Sequence, residues 1–431
     1  MRAFLTLFLT SVLLLTACDN SNISKSEAER VYKELSDGYQ QIYHKVIQPA
    51  EGYLQYPYLI PAGFYKQTWD WDGFFMGCWF IKKGMPEYMK YWALTFLSGV
   101  EDNGYVVGCM TTAGPRKLHG SFAIKPFLSQ GVQRYCEATG DYEWVREYYD
   151  RLVKVLAYRD SVQLDTDYNL YYWENAFQSG ADNNPALNYF AQDTRSFLAA
   201  DCSVMQMQEF KAQAAIAEAL GYTEDAKLFA LKAETIGNAI VEHLWCDKDK
   251  MFYNMDRELK TLYKRVSYSS FWPLAVGLAP KQDGRKMIKK YLLSEDHLLS
   301  PFGLRTLSVS DPDYNNRNII KPFSNWQGPL WAPATCVYAQ AMHLYGFDSQ
   351  ISDVLVPLAK LMLEDVKTYG TMHENYHAET GEGLAPATSK VDENGQFIGF
   401  ISWNLCMYLE APNNQNYSEI TKHKPLIINI F

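Results

Sequence analysis

Apolar residues recur at steps of three and four along most of this chain, while the alternating runs that mark strands are nearly absent. Val31, Leu35, Tyr39, Ile42 and Val46 share one face of a helix expected over 28–47. The same spacing predicts helices over 89–100, 132–138, 144–162, 201–220, 223–244, 284–293, 332–345, 352–366 and 401–410. Gly140 and Asp141 supply a stop and a start before 144–162. Gly221 closes 201–220, and Thr223 is placed to cap the helix that follows. A short hairpin is expected near 251–263. About a dozen helices, paired in sequence and broken by long loops, lead to an all-α toroid whose loops meet at one mouth. An open solenoid is the alternative, but no fixed-period repeat supports it. No low-complexity linker divides 27–412, which reads as one domain followed by a tail at 413–431.

Hydrophobic residues make up 48% of the 431 and charged residues 21%, enough for a substantial core. A net charge of −9 argues against a nucleic-acid partner. The N-terminus reads as an export signal. One positive charge at Arg2 precedes an apolar stretch too short to span a membrane comfortably. It ends Leu15-Thr16-Ala17-Cys18, which resembles a bacterial lipobox, so residues 1–17 read as a lipoprotein signal and Cys18 as the lipidated residue. Residues 18–26 then form a polar tether, and the chain is expected to be an exported lipoprotein of the periplasm or outer membrane. A buried helix ending in an incidental cysteine is the competing reading. The other seven cysteines are scattered with no Cys-x-x-Cys pair, indicating buried thiols, with at most one bridge, rather than a zinc site or disulfide framework.

The chain is 15% aromatic, with 31 Tyr, 22 Phe and 11 Trp, and such rings either fill a core or offer apolar faces to a sugar. Several loops concentrate them beside carboxylates. The first runs from Gly63 through Tyr65, Trp69, Asp70, Trp71 and Asp72. Two Trp and two Asp within four residues cannot all be buried cheaply. They read as a sugar platform in which Asp72 accepts from hydroxyls, or more plainly as a helix start capped at Asp72. The second is Phe177-Gln178-Ser179-Gly180-Ala181-Asp182-Asn183-Asn184-Pro185, a tight turn by composition. The last two are Ser324-Asn325-Trp326-Gln327-Gly328-Pro329-Leu330-Trp331 and His373-Glu374-Asn375-Tyr376.

These strings, in this order, resemble glycoside hydrolase family 63, the inverting enzymes that include processing α-glucosidase I and the mannosylglycerate and glucosylglycerate hydrolases, with trehalase more distant. The resemblance spans roughly Tyr65 to Trp403. It implies an (α/α)6 toroid and an inverting, exo-acting α-glycosidase, an α-glucosidase in the first instance, with a carbohydrate substrate and no cofactor. It further implies Asp182 as general acid and Glu374 as general base. Tyr65, Trp69, Trp71, Asp72, Phe177, Asn325, Trp326, Gln327, Gly328, Trp331 and Tyr376 become the expected substrate contacts. Two departures bear on the substrate. Phe177-Gln178 stands where relatives commonly carry Trp-Glu, with Trp173-Glu174 nearby, and Lys125-Pro126 stands where they offer a glutamine followed by prolines.

Inversion needs one carboxyl still protonated near neutrality and an ionised one on the opposite face, roughly 6.5–9.5 Å away, to activate water. Aromatic desolvation or a neighbouring negative charge supplies the raised pKa. Glu379 and Glu382 are rivals to Glu374, with Glu382 better read as a loop anchor, and His373 is placed to orient the base. No histidine spacing indicates a metal site, and Met205 and Met207 read as helix packing. A non-catalytic sugar-binding lipoprotein is the principal alternative. An isomerase or lyase on the same fold would lean on paired histidines, which the sequence does not offer.

Overall fold

The computed structural model describes residues 22–117, 122–187, 195–319 and 324–407; the apolar N-terminal stretch, Cys18 and the expected tail lie outside them. Among the described residues twelve α-helices alternate with loops and with strands of two or three residues: α1 (Lys25–Ile42), α2 (Asp70–Lys82), α3 (Glu87–Ser98), α4 (Leu128–Thr139), α5 (Val145–Gln163), α6 (Ala176–Ser179), α7 (Ala200–Leu220), α8 (Thr223–Leu244), α9 (Trp272–Ala275), α10 (Lys281–Met287), α11 (Ala332–Leu344) and α12 (Asp348–Tyr369). None of them is long and apolar enough to cross a membrane.

The packing closes a ring. On the inside, α2 touches α4, α4 touches α7, α7 touches α9 and α9 touches α11. A 3-10 turn at Ser402–Met407 then joins α11 back to α2. Outside them α3 backs onto α2 and α4, α8 lies along α7, and α12 lies against both α11 and α1. The result is an (α/α)6 toroid. The outer seam joins the two ends of the fold, where Lys360 and Lys367 of α12 pair with Glu27 and Glu34 of α1 at 2.5 and 2.8 Å.

Inner and outer helices differ in how they bury their surface. α1 shows a single buried stripe (Ala28, Val31, Leu35, Tyr39, Ile42), as an outer helix should. In α2 every residue from Asp70 to Phe80 is buried. Asp70 and Asp72 sit in its first turn, where the helix dipole favours negative charge. Gly73 and Gly77 cost α2 roughly 1 kcal/mol each in propensity, yet a Cβ there would fall 2.2 Å from the Trp92 ring and 2.7 Å from Met89 Cε of α3.

Several expected boundaries move. The first helix ends at Ile42 and continues as a 3-10 turn to Val46. α10 begins earlier than expected and runs on as a π-turn over Ile288–Leu292, while α12 extends to 22 residues around Pro357. The expected helix over 401–410 is the short closing turn as far as Met407; beyond that it leaves the described residues. Thr223 makes no capping bond, because Tyr222 takes the cap position and Thr223 is the first helical residue. The hairpin near 251–263 pairs Asn254–Asp256 with Thr261–Tyr263. The seven cysteines from Cys78 onward are free, and all but Cys246 are buried.

Candidate active site

One cavity of about 190 Å³ opens at the end of the ring where α2 begins, and its lining includes Tyr65, Trp69, Trp71, Asp72, Phe177, Asp182 and Glu374. Asp70, Cys109, Arg116, Lys125, Gln178, Ser324, Phe400 and Trp403 line it as well. Ring closure therefore gives widely separated stretches of sequence one shared space.

Asp182 is placed by a tight local fold. Asn175 caps α6 by accepting from the Gln178 amide at 3.1 Å, and α6 ends at Gly180 with φ 88°. A side chain at Gly180 would meet the Trp71 ring at 2.9 Å and Lys125 Cε at 3.1 Å, so glycine is needed both for the turn and for the approach. Two residues on, Asp182 Oδ2 accepts from the backbone N–H and the hydroxyl of Ser324, each at 2.8 Å. Burial raises its carboxyl to about 6, opposed by the two Ser324 hydrogen bonds and by the Lys125 charge.

Glu374 is held differently. Its backbone N–H donates to Ala385 O, and the adjoining Asn375–Tyr376 strand pairs with Gly383–Ala385. On either side, His373 and Tyr376 are tied to one oxygen of Asp365: the His373 amide at 2.9 Å, its Nδ1 at 2.7 Å and the Tyr376 hydroxyl at 2.6 Å. His373 thus fixes the backbone before Glu374 rather than contacting the carboxylate. The Glu374 side chain itself is 4% exposed, and its Oε2 has no hydrogen-bond partner among the described residues. Burial first, then the charges of Asp72 and Asp182, push its carboxyl well above the usual range. The rivals are engaged elsewhere. Glu379 binds Arg305 at 2.8 Å and the Tyr314 hydroxyl at 2.6 Å, and Glu382 is anchored through its backbone carbonyl, which accepts from His377 at 2.7 Å.

Asp72 completes a trio of carboxyls. Its Oδ1 accepts from Ser402 at 2.6 Å, and it does not cap α2, whose cap position is Trp69. Burial raises it to about 7, with the Ser402 bond working against burial and the Asp70 charge adding to it. Tyr65 sits among all three: burial, then Glu374, Asp72 and Asp182, push its hydroxyl well above its usual value. Lys125 crosses the Trp71 face, 5.6 Å from the ring centroid, with its amide on Asp70 Oδ2 at 2.8 Å and its ammonium 3.5 Å from Asp70 Oδ1.

The expected sugar contacts in 325–331 take another position. Trp326 and Trp331 are buried, stacked on each other at 4.2 Å and 13°, and Trp326 lies behind Trp71 at 6.1 Å. Asn183, next to Asp182, accepts from the Trp326 amide at 2.6 Å and donates to Asn325 at 3.2 Å, while Gln327 Nε2 reaches Asn183 O at 3.2 Å. Gly328 allows the segment to pass Asn315 O, 2.4 Å from where a Cβ would stand. Asn325, Trp326, Gln327, Gly328 and Trp331 thus brace the Asp182 turn from behind, and Tyr376 is occupied by Asp365. Only Ser324 of this stretch reaches the cavity. Sequence reasoning gives Lys125, Ser402 and Trp403 no named role at the site, although Ser402 and Trp403 fall in the helix expected over 401–410. Lys125 enters the sequence reading as a departure from relatives, Ser324 as the first residue of the tryptophan string, and Trp403 as the end of the resemblance.

The chain spans a little under three-fifths of the curated relatives it matches. It is 22% identical over 352 residues to the periplasmic trehalase of Salmonella schwarzengrund, covering 69% of this chain and 58% of that one. It is 20% identical over 355 residues to a periplasmic trehalase of Escherichia coli O1:K1, covering 70% and 59%. Among solved structures, a mannosylglycerate hydrolase of family GH63 from Thermus thermophilus in complex with glucose superposes with TM-score 0.65 at 15% identity, covering 86% of this chain and 97% of that one. A neutral trehalase from Saccharomyces cerevisiae gives 0.63 at 15%, covering 86% and 76%. At such identities these structures speak for the fold alone. The domain described as mannosylglycerate hydrolase MGH1-like glycoside hydrolase matches residues 65–390, three-quarters of the sequence, and the chain belongs to that glycoside hydrolase family.

Proposed function

We propose that this protein is an inverting, exo-acting glycoside hydrolase that cleaves an α-glucosidic or closely related α-glycosidic bond in an oligosaccharide or small glycoside. The observation that carries the reading is the sharing of one cavity by two unlike carboxyls: Asp182, raised to about 6 yet supplied with donors, and Glu374, buried with one oxygen open. Asp182 protonates the leaving oxygen. Glu374 takes a proton from the water that attacks the anomeric carbon from the opposite face. Tyr65, Trp69, Trp71, Asp72 and Phe177 hold the sugar, the rings against its apolar face and Asp72 against its hydroxyls.

Family membership supports the hydrolytic chemistry, and the mannosylglycerate hydrolase and trehalases among the similar proteins make α-linked glycerate glycosides and α,α-trehalose natural members of the test panel. The periplasmic trehalases also favour export, and we place the mature chain on a membrane through lipid at Cys18. Replacing Cys18 with Ser should abolish a lipid-sized mass increment on the purified chain. The activity test is the anomer released from α-linked gluco- and manno-disaccharides, trehalose and glycerate glycosides, read by proton NMR within the first turnovers. Release of the β-anomer, lost in Asp182→Asn and Glu374→Gln, is expected. Full activity in both variants, or a glycone released as the α-anomer (from trehalose, any product other than one α- and one β-glucose), ends the proposal.

A further inference from the structure

Ser402 stands out for its backbone. Ala62, Asn169, Lys250 and Lys260 also have positive φ, but at 52–76° they lie in or at the edge of the ordinary left-handed basin. Ser402 has φ 21°, outside that basin, where a side chain crowds its own backbone. It is wholly buried and opens the closing 3-10 turn. The surroundings enforce the conformation. The amides of Ile401 and Ser402 both reach Pro61 O, at 3.0 and 3.3 Å, and Phe400 pairs with Met372. Gly399 passes so close to Thr371 that a Cβ there would fall 2.2 Å from the hydroxyl. Phe400 and Trp403, on either side of Ser402, line the cavity. The strained residue thus lies behind the cavity wall, between two residues that line it, and its hydroxyl donates to Asp72 Oδ1 at 2.6 Å.

We propose that Ser402 is a positioning residue: the fold holds it in a strained conformation so that its hydroxyl fixes one oxygen of Asp72 and keeps that carboxylate an acceptor for a sugar hydroxyl. This rests on the proposed sugar-binding role of the cavity. The need for such a donor follows from what else faces Asp72. Asp70 on its own helix opposes its ionisation, as does burial, while the Lys125 cation favours it; Tyr65, Cys109 and Glu374, which also face it, are each held in their neutral forms by burial and by its charge. A hydroxyl donated to the charged form adds to what Lys125 supplies, and Ser402 is placed to give it.

Ser402→Ala keeps the strain and loses the donor, whereas Ser402→Gly loses both. At an ordinary position Ala is the more stable of the two; here Ser402→Gly should melt a few degrees above Ser402→Ala. Both variants should lower kcat/KM about 10- to 100-fold, chiefly through KM, as expected when a charged hydrogen-bond partner is mispositioned. The Asp72 carboxyl, followed by carbon-13 NMR and assigned with Asp72→Asn, should titrate at higher pH in both. An Ala variant that melts above the Gly variant, or an unmoved Asp72 titration with kcat/KM within roughly twofold of wild type, overturns the proposal. If the wild-type enzyme cleaves no glycoside, the hydrolase reading falls by itself, and the melting order and the titration still decide the role of Ser402.

Discussion

Asp182 and Glu374 share a cavity but are built by opposite means. Asp182 rides on a turn and is met by two donors from Ser324, so burial lifts its carboxyl only to about 6. Glu374 stands on a strand stapled through its neighbours, with no donor for Oε2 among the described residues and two negative neighbours. The more strongly raised group is thus the one assigned as base. The working form is therefore a minor one, with the proton on Asp182 and the charge on Glu374. When Asp182 holds its proton, one of the charges opposing Glu374 is gone, and the water to be activated donates to the open oxygen. A base without a built-in partner keeps its lone pair for the substrate water, whereas an acid with modest support stays poised near neutrality.

The largest effect that tests this contrast is on turnover. Asp182→Asn and Glu374→Gln should each lower kcat by roughly 10³-fold on ordinary glycosides. With an α-glycosyl fluoride, whose leaving group needs no proton, Asp182→Asn should recover much of its rate and Glu374→Gln should not; the reverse pattern would exchange the roles. Next in size is stability. A carboxyl raised from about 3.9 unfolded to about 6 folded favours folding fully below the lower value and loses that contribution as pH rises through the upper one. Asp182→Asn should therefore be more stable than wild type at pH 8, by on the order of 2–3 kcal/mol, with the gain vanishing towards pH 4 in denaturant titrations. Smaller shifts belong to the pH–rate profile. Removing the Asp72 charge in Asp72→Asn should move the alkaline limb to lower pH, because that charge raises Glu374, the higher-titrating of the pair. Ser324→Ala should move the acidic limb to higher pH, because the lost hydroxyl was holding Asp182, the lower-titrating group, down. Smallest of all, Trp326→Phe should change KM only a few-fold, as befits a ring behind the wall rather than in it; loss of sugar binding would return Trp326 to the contact surface.

The sequence exposed what is dense locally and hid what depends on coverage. The first loop and the Asp182 turn each crowd carboxylates, aromatics and glycine into a few residues, and Tyr65, Trp69, Trp71, Asp72, Phe177 and Asp182 all fall on the cavity. Trp326 and Trp331 come from a string of the same chemical character, yet they stack under Trp71 instead of facing solvent. Residue type does not say which neighbour will cover a ring. Helical periodicity drew the outer ring and the long inner helices and missed α2, which is buried on every side from Asp70 to Phe80 and opens in an aromatic loop, and α9, whose four residues are too few to show a period. Ser402 carries no local mark, and Lys125 is marked only as a departure from relatives, because their roles arise from contacts about 330 and 55 residues away.

The seam between α1 and α12 has a consequence for how the protein comes into being. Its ion pairs join residues 333 positions apart, so the circle is completed only after almost all of the described chain has been made. Glu374 and Ser402 both come after α12 in sequence, while Asp72 and Asp182 wait on earlier arcs. A nascent polypeptide therefore carries half of its chemistry with nothing opposite it. Assembly and catalytic competence arrive together, as the last arc drops into place.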